Sequence, residues 1–192
     1  MSIDYSIYLK QATAFSAESF ENYCSSLGLC AAFHPTFRLL ENSGFVPMRL
    51  MDERFAKEGE NKAFLTGFEL YSSDYHHVAQ PQKKRNGFFH KLFKARPVEE
   101  TPFAKAIKDC TLSIDLRCSI ADSFEVLMAY ALGAYLVKFC GGVFDDPQTG
   151  QFYDDYSHLE AEIAAIVTEL LELADTGELL THEFKEWDED PS

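Results

Sequence analysis

The sequence of 192 residues lacks the short motifs that mark the commonest enzyme classes. It contains no phosphate-binding P-loop, no dinucleotide-binding G-x-G-x-x-G, no H-E-x-x-H and no G-x-S-x-G. No uninterrupted apolar run approaches the roughly eighteen residues of a membrane span, and the first residues do not resemble a signal peptide. We therefore expect a cytoplasmic protein with no transmembrane segment.

The sequence also lacks the cysteine pattern of a disulfide scaffold or a zinc site. Its five cysteines include no C-x-x-C pair. A zinc ribbon needs closely spaced ligands, and a disulfide framework needs half-cystines in pairs. We expect the cysteines to be small buried side chains, and we expect no cofactor.

Basic residues are scarce in the last quarter of the chain. The whole sequence has 31 acidic and 17 basic residues, for a net charge of −14. From Gly141 onwards there are fifteen acids and one base, Lys185, so the chain before Gly141 is neutral overall. Such asymmetry predicts a local negative potential that steers a basic partner and disfavours direct binding to nucleic acid.

One segment opposes this trend. Six basic and no acidic residues lie between Lys83 and Arg96, interleaved with phenylalanine and leucine. The pattern is typical of an amphipathic helix at a membrane surface or on nucleic acid, which makes such an adaptor one alternative function. The other interpretation is a loop helix packed on the domain.

The remaining pattern predicts an α+β fold. Apolar and polar residues alternate at 3–9 and 112–118, a short strand is predicted at 47–51, and apolar helical stretches cover 124–139 and 158–175, the second opened by a capping box at Ser157 and Glu160. We expect a mostly antiparallel sheet with helices packed on one face and a helical, acidic C-terminal part. We expect residues 1–177 to form one domain, with 73–108 as a long basic excursion and 178–192 as an acidic tail.

A predicted hairpin at 143–153 gathers the densest titratable cluster, which is Asp145, Asp146, Asp154, Asp155 and His158. Carboxylates beside an imidazole can hold a divalent cation, so a metal-dependent enzyme is another alternative, with Asp145, Asp154 and His158 as candidate ligands. Turn chemistry and the helix dipole explain the same residues without a metal.

Glu125 is a single carboxylate in an otherwise apolar helix. A carboxylate in a first turn is favoured by the helix dipole, and this accounts for it unless it faces a pocket.

Residues 110–156 resemble immunity proteins of bacterial polymorphic-toxin and contact-dependent inhibition systems. The resemblance is carried by the apolar helix that ends in Gly141-Gly142 and by the turn Asp146-Pro147-Gln148-Thr149-Gly150. It implies a protein that neutralises a toxin, often a nuclease with a basic cleft, by occluding it.

The charge pattern and the resemblance together predict a non-enzymatic protein-binding protein, an immunity protein or antitoxin, with a basic toxin domain as its partner. A homodimer is left open. Exposed acids and aromatic anchors are the candidate partner-binding residues. They are Asp145, Asp146, Asp154, Asp155, Tyr153, Tyr156, Glu183, Glu186, Trp187 and Asp188.

Overall fold

The described chain forms a seven-stranded antiparallel sheet that carries its main helices on one face. The computed structural model describes residues 2–11, 15–35, 37–38, 43–56, 63–76, 101–119 and 121–181. The strand order is β2-β3-β4-β5-β1-β6-β7, which places the first strand between the fifth and the sixth. The strands are β1 (Ser2–Leu9), β2 (Ala31–Phe33), β3 (Gly44–Met51), β4 (Ala63–Asp74), β5 (Leu112–Ser119), β6 (Gly142–Asp146) and β7 (Gln151–Tyr153).

Three of the described helices lie in the connections between these strands, and a fourth follows β7. They are α1 (Ala17–Ser26), α2 (Pro102–Ala106), α3 (Ser123–Cys140) and α4 (Tyr156–Thr176), with a 3-10 turn at Glu53–Phe55. The predicted α+β class and the antiparallel sheet are confirmed. The predicted alternation also holds, because β1 buries Tyr5, Ile7 and Leu9 on one face of the sheet while Asp4, Ser6 and Tyr8 point to the other.

Helix α3 forms the centre of the core. It begins at Asp122, whose carboxylate accepts a hydrogen bond from the Phe124 amide at 2.8 Å, and it ends at Gly141, which has a φ of 64°. By length and apolar content, α3 alone among the described helices would suffice to cross a membrane. The helix is 78% buried inside the protein, as the central helix of a globular core is.

The short helix α2 lies on the opposite face of the sheet. Its Phe103 contacts Tyr8 of β1 and Phe152 of β7 edge-on, and a small second core forms around Ile107 and Val143. The helices are thus not all on one face, because the outward residues of β1, β6 and β7 are themselves apolar enough to bind one.

The hairpin β6–β7 is present as predicted, but the predicted capping box is wrong. Helix α4 begins at Asp155, whose carboxylate accepts from the Ser157 amide at 2.9 Å. Ser157 therefore lies inside the first turn. Glu160 turns instead towards Lys138 of α3, whose ammonium donates to it at 3.1 Å.

The cysteine prediction holds for four of the five residues. The structure describes all five cysteines, none of which forms a disulfide bond, and the exception to burial is Cys30.

Two predicted features lie wholly or largely outside the described residues. Most of the basic excursion, including everything from Lys83 to Arg96, is outside them, and so is the chain from residue 182 onwards. The first residues of the predicted tail are described. There Leu180 exchanges two hydrogen bonds with Ser123 at the start of α3.

Candidate functional site

The predicted acidic cluster is not assembled into one group. The alternation of β6 directs Phe144 and Asp146 towards the helices and Asp145 towards the opposite face. Asp145 lies half-buried there, between Ser6 of β1 and Phe152 of β7. Burial and the charge of Asp146 raise the pKa of the Asp145 carboxyl.

Asp146 is buried, with 2% of its surface exposed, and its carboxylate is used inside the protein. It accepts from the Tyr130 hydroxyl at 2.7 Å, the Gln148 amide at 2.8 Å and the Thr149 hydroxyl at 3.0 Å. This aspartate therefore ties the hairpin turn to α3, and it is not part of an exposed acidic rim.

The other members of the cluster lie around the start of α4. Asp154, Asp155 and His158 are exposed, and the hydrogen bond from the Ser157 amide lowers the pKa of the Asp155 carboxyl. The described residues form no group of three His, Cys, Asp or Glu side chains that could hold a metal ion. The metal-dependent alternative built on Asp145, Asp154 and His158 therefore finds no support in this part of the chain.

The two described aromatic candidates differ in exposure. Tyr153 is buried, and its hydroxyl donates to the Gln151 side chain at 3.1 Å. Tyr156 is 36% exposed, and the Lys138 ammonium lies 4.5 Å from the centre of its ring. Tyr156 thus stays accessible, whereas Tyr153 belongs to the core. The remaining candidates, Glu183, Glu186, Trp187 and Asp188, lie outside the described residues.

The second half of helix α4 presents an acidic face. The helix contains no lysine or arginine, and Glu169, Glu172 and Asp175 are exposed along it. Its apolar stripe, which includes Leu159, Ile163 and Leu170, packs on the core. One acid of this helix, Glu160 near its N-terminal end, forms an ion pair with Lys138 of α3. The exposed face is consequently a surface of one sign.

A second feature is a pocket between β4 and β5. The pairing of these strands ends at Glu69 and Arg117, although β4 continues against β3 and β5 continues against β1. The strands therefore separate, and a pocket of about 430 Å³ opens between them. Its walls include Phe45, Phe68, Glu69, Arg117, Ser119 and Glu125.

Glu125 brings a buried carboxylate into this pocket. It is 6% exposed and lies in the first turn of α3, on the helix side of the sheet. Its carboxylate accepts a hydrogen bond from the Ser119 amide, just beyond the last β4–β5 pair. Burial raises the pKa of Glu125 to about 7, with a smaller contribution from the charges of Asp122 and Glu69 and an opposing one from the Ser119 bond.

The guanidinium at the mouth of the pocket already has partners. Arg117 donates to Asp4 at 2.8 Å and lies 3.8 Å from Glu69, all three on the sheet face opposite the helices. Tyr71 also donates to Glu69, at 3.2 Å. The charged groups here are Arg117, Asp4, Glu69 and Glu125. With Glu125 ionised their net charge is negative, so the pocket favours a cation.

The raised pKa of Glu125 makes stability depend on pH. The folded protein holds this proton more tightly than the unfolded chain, whose glutamates titrate near 4.5. The stabilisation is complete below pH 4.5 and is lost as the pH rises through about 7. Between pH 5.5 and 7.5 we expect the contribution of Glu125 to the free energy of unfolding to fall by about 2 kcal/mol, as measured by urea denaturation.

Two variants isolate that contribution. Glu125→Gln keeps an acceptor for the Ser119 amide but has no proton to lose. Its free energy of unfolding should therefore change less with pH than that of the wild type. Glu172→Gln, on the exposed face of α4, should leave the wild-type slope in place. Equal slopes for the wild type and Glu125→Gln would contradict the assignment.

The sequence singles out Glu125 but cannot show that it lines a pocket. That depends on where two strands, distant in sequence, stop pairing. The other lining carboxylate, Glu69, follows Phe68 in a strand with an ordinary alternating pattern, so nothing local distinguishes it.

Comparison of the chain with protein-family models, curated proteins and solved structures finds no match. The resemblance to immunity proteins therefore stays a prediction.

Proposed function

We propose that this protein binds a positively charged protein partner on the exposed face of α4, in the manner of an immunity protein that occludes a basic toxin such as a nuclease. One observation carries the proposal. The second half of α4 exposes Glu169, Glu172 and Asp175, and the helix contains no lysine or arginine to neutralise them.

The exposed acids of this face lie close together. Glu169, Glu172 and Asp175 fall within about 9 Å of helix at about 1.5 Å per residue, which is close to the distance at which salt screens a charge. Like charges this close act together, and they raise the association rate of a basic partner more than they raise the final affinity.

Apolar side chains at the N-terminal end of α4 supply the contact area that charge alone does not. Tyr156 is 36% exposed and Phe139 of α3 is 53% exposed. They are connected through Lys138 and Tyr23, since the Lys138 ammonium lies over both tyrosine rings and Phe139 packs edge-on against Tyr23. Aromatic groups of this kind contribute most of the binding energy when a partner covers them.

Charge reversal on α4 tests the proposal. The partner to try is the product of the neighbouring gene, with stopped-flow association measured at about 50 and 300 mM salt. Replacing Glu169 and Glu172 by lysine should slow association at low salt by about tenfold and flatten the salt dependence. Tight, salt-insensitive binding that the double variant retains would argue against the acidic face.

A control with the same change in net charge separates the local surface from the overall charge. Asp74 and Asp109 are exposed at the end of the sheet near α2, away from α4. Their replacement by lysine should leave most of the association rate in place. An equal loss in both double variants would mean that net charge alone, and not the face of α4, steers the partner.

A further inference from the structure

We propose that the pocket between β4 and β5 binds a cationic group, an alkylammonium or guanidinium, whose charge pairs with Glu125 and whose apolar stem packs against Phe45. The pocket runs through the gap between the strands, from Phe45, Glu69 and Arg117 on the face away from the helices to the carboxylate of Glu125 behind them. This inference goes beyond the acidic face of α4 and does not rest on it.

The shape of the site favours a ligand with a charged head and an apolar stem. The volume of about 430 Å³ lies within the range of small-molecule sites. Phe68 is fully buried at the wall, and Phe45 is 43% exposed at the edge. A stem of a few methylenes can pack on the exposed Phe45 ring while its head reaches the helix side.

The charge of the site selects the sign of the head group. The carboxylate of Glu125 is held by a backbone amide, whereas Glu69 already has Arg117 and Tyr71 beside it. Arg117 is in turn bonded to Asp4. An anion would therefore meet an occupied guanidinium and two carboxylates, while a cation would neutralise the one buried carboxylate.

The protonation of Glu125 couples binding to pH. The charged and titratable groups around it are Asp122 on its own helix, Glu69 on β4, and Arg117 and Cys118 on β5, with Asp4 of β1 behind Cys118. A bound cation favours the ionised carboxylate and lowers its pKa, so affinity must rise with pH. With a pKa of about 7 in the free protein, the ionised fraction grows about tenfold between pH 6 and pH 8.

Calorimetric titration with small probes tests this directly on the full chain. Butylguanidinium and butylammonium are the probes, butylurea is the neutral analogue and butyrate is the anionic one. We expect the cations to bind about tenfold more tightly at pH 8 than at pH 6 and the two analogues to bind much more weakly. Equal binding of butylurea or butyrate, or no heat with either cation at millimolar concentration, would overturn the proposal.

Two variants separate the charge of Glu125 from its structural role. Glu125→Gln should weaken the binding of butylguanidinium at pH 8 by about tenfold or more and abolish its pH dependence, because the amide carries no charge and does not titrate. The amide can still accept from Ser119, so the local structure should be kept. Glu162→Gln, a half-buried glutamate of α4, is the matched control and should bind as the wild type does. An unchanged affinity of Glu125→Gln for butylguanidinium would show that Glu125 does not pair with the cation.

Amide chemical-shift mapping of the wild type decides the matter if Glu125→Gln does not fold. Shifts on adding butylguanidinium should centre on Phe68, Cys118 and Ser119, and a centre elsewhere would refute the site. A capped tripeptide with a central arginine then identifies the source of the cation. Binding equal to that of butylguanidinium indicates a protein side chain, and exclusion of the peptide indicates a free amine or guanidine.

Discussion

Replacing Asp146 by alanine should lower the free energy of unfolding by about 3 to 5 kcal/mol. The carboxylate is buried and receives hydrogen bonds from the Tyr130 hydroxyl, the Gln148 amide and the Thr149 hydroxyl. Alanine leaves the buried tyrosine hydroxyl without its acceptor and removes the contact that holds the hairpin turn on α3. Chemical denaturation of the full chain measures the loss.

Two further variants divide this effect into its parts. Tyr130→Phe removes one hydrogen bond and should cost about 1 kcal/mol. The double variant should lose less than the sum of the single losses, because the orphaned hydroxyl of Asp146→Ala is then absent. A loss under about 1 kcal/mol for Asp146→Ala would show that the turn holds without its carboxylate.

The role of Asp146 marks a limit of reading charge from sequence. Asp145 and Asp146 look alike in the printed chain, and both are predicted from it to lie on an acidic rim. Strand alternation puts them on opposite faces, and the face of Asp146 is the one covered by α3. Which face is covered depends on tertiary packing, and a count of acids cannot reveal it.

Much of the fold follows from local patterns. The alternation in β1 and β5, the turn between β6 and β7 and the ends of α3 are each encoded within a few neighbouring residues, and each is found at the predicted place. The predicted strand at Pro47 is longer than expected and begins at Gly44. Pro47 is accommodated there opposite Gly67, and its carbonyl accepts from the His34 amide at 3.1 Å.

The strand order and the pocket could not be predicted in this way. Placing β1 between β5 and β6 requires contacts between residues more than a hundred positions apart, such as Tyr5 with Leu116. The pocket exists because β4 and β5 stop pairing at Glu69 and Arg117. A register that ends early is a property of two strands together, and neither strand carries it alone.

The start of α4 shows how two sound local signals can compete. Ser157 and Glu160 have the spacing of a capping box, and Asp155 stands two residues earlier as an equally good cap. Asp155 is the cap in the structure, and Glu160 is engaged by Lys138 and by the Tyr23 hydroxyl, each at 3.1 Å. Tertiary contacts of Glu160 with α3 and α1 therefore accompany the longer helix.

Replacing Gly133 by valine should lower the free energy of unfolding by about 3 kcal/mol or more. Gly133 lies in the buried middle of α3, and a Cβ there would overlap the ring of Phe144 in β6. That ring is itself confined by Tyr5 and Tyr130, at centroid distances of 5.4 and 4.9 Å. The side chain therefore forces the helix away from the sheet, and thermal or urea denaturation should show it.

Alanine variants distinguish this packing effect from helix propensity. Gly→Ala in an unobstructed helix gains about 1 kcal/mol, and Ala164→Gly on the exposed face of α4 should show the converse loss. Gly133→Ala should nevertheless destabilise the protein, because the added methyl group meets Phe144. Combined with Phe144→Leu, it should lose less than the sum of the single changes, since the smaller side chain makes room. If Gly133→Ala were more stable than the wild type, the Phe144 ring would not pack closely against Gly133, and the proposed contact between α3 and β6 would be wrong.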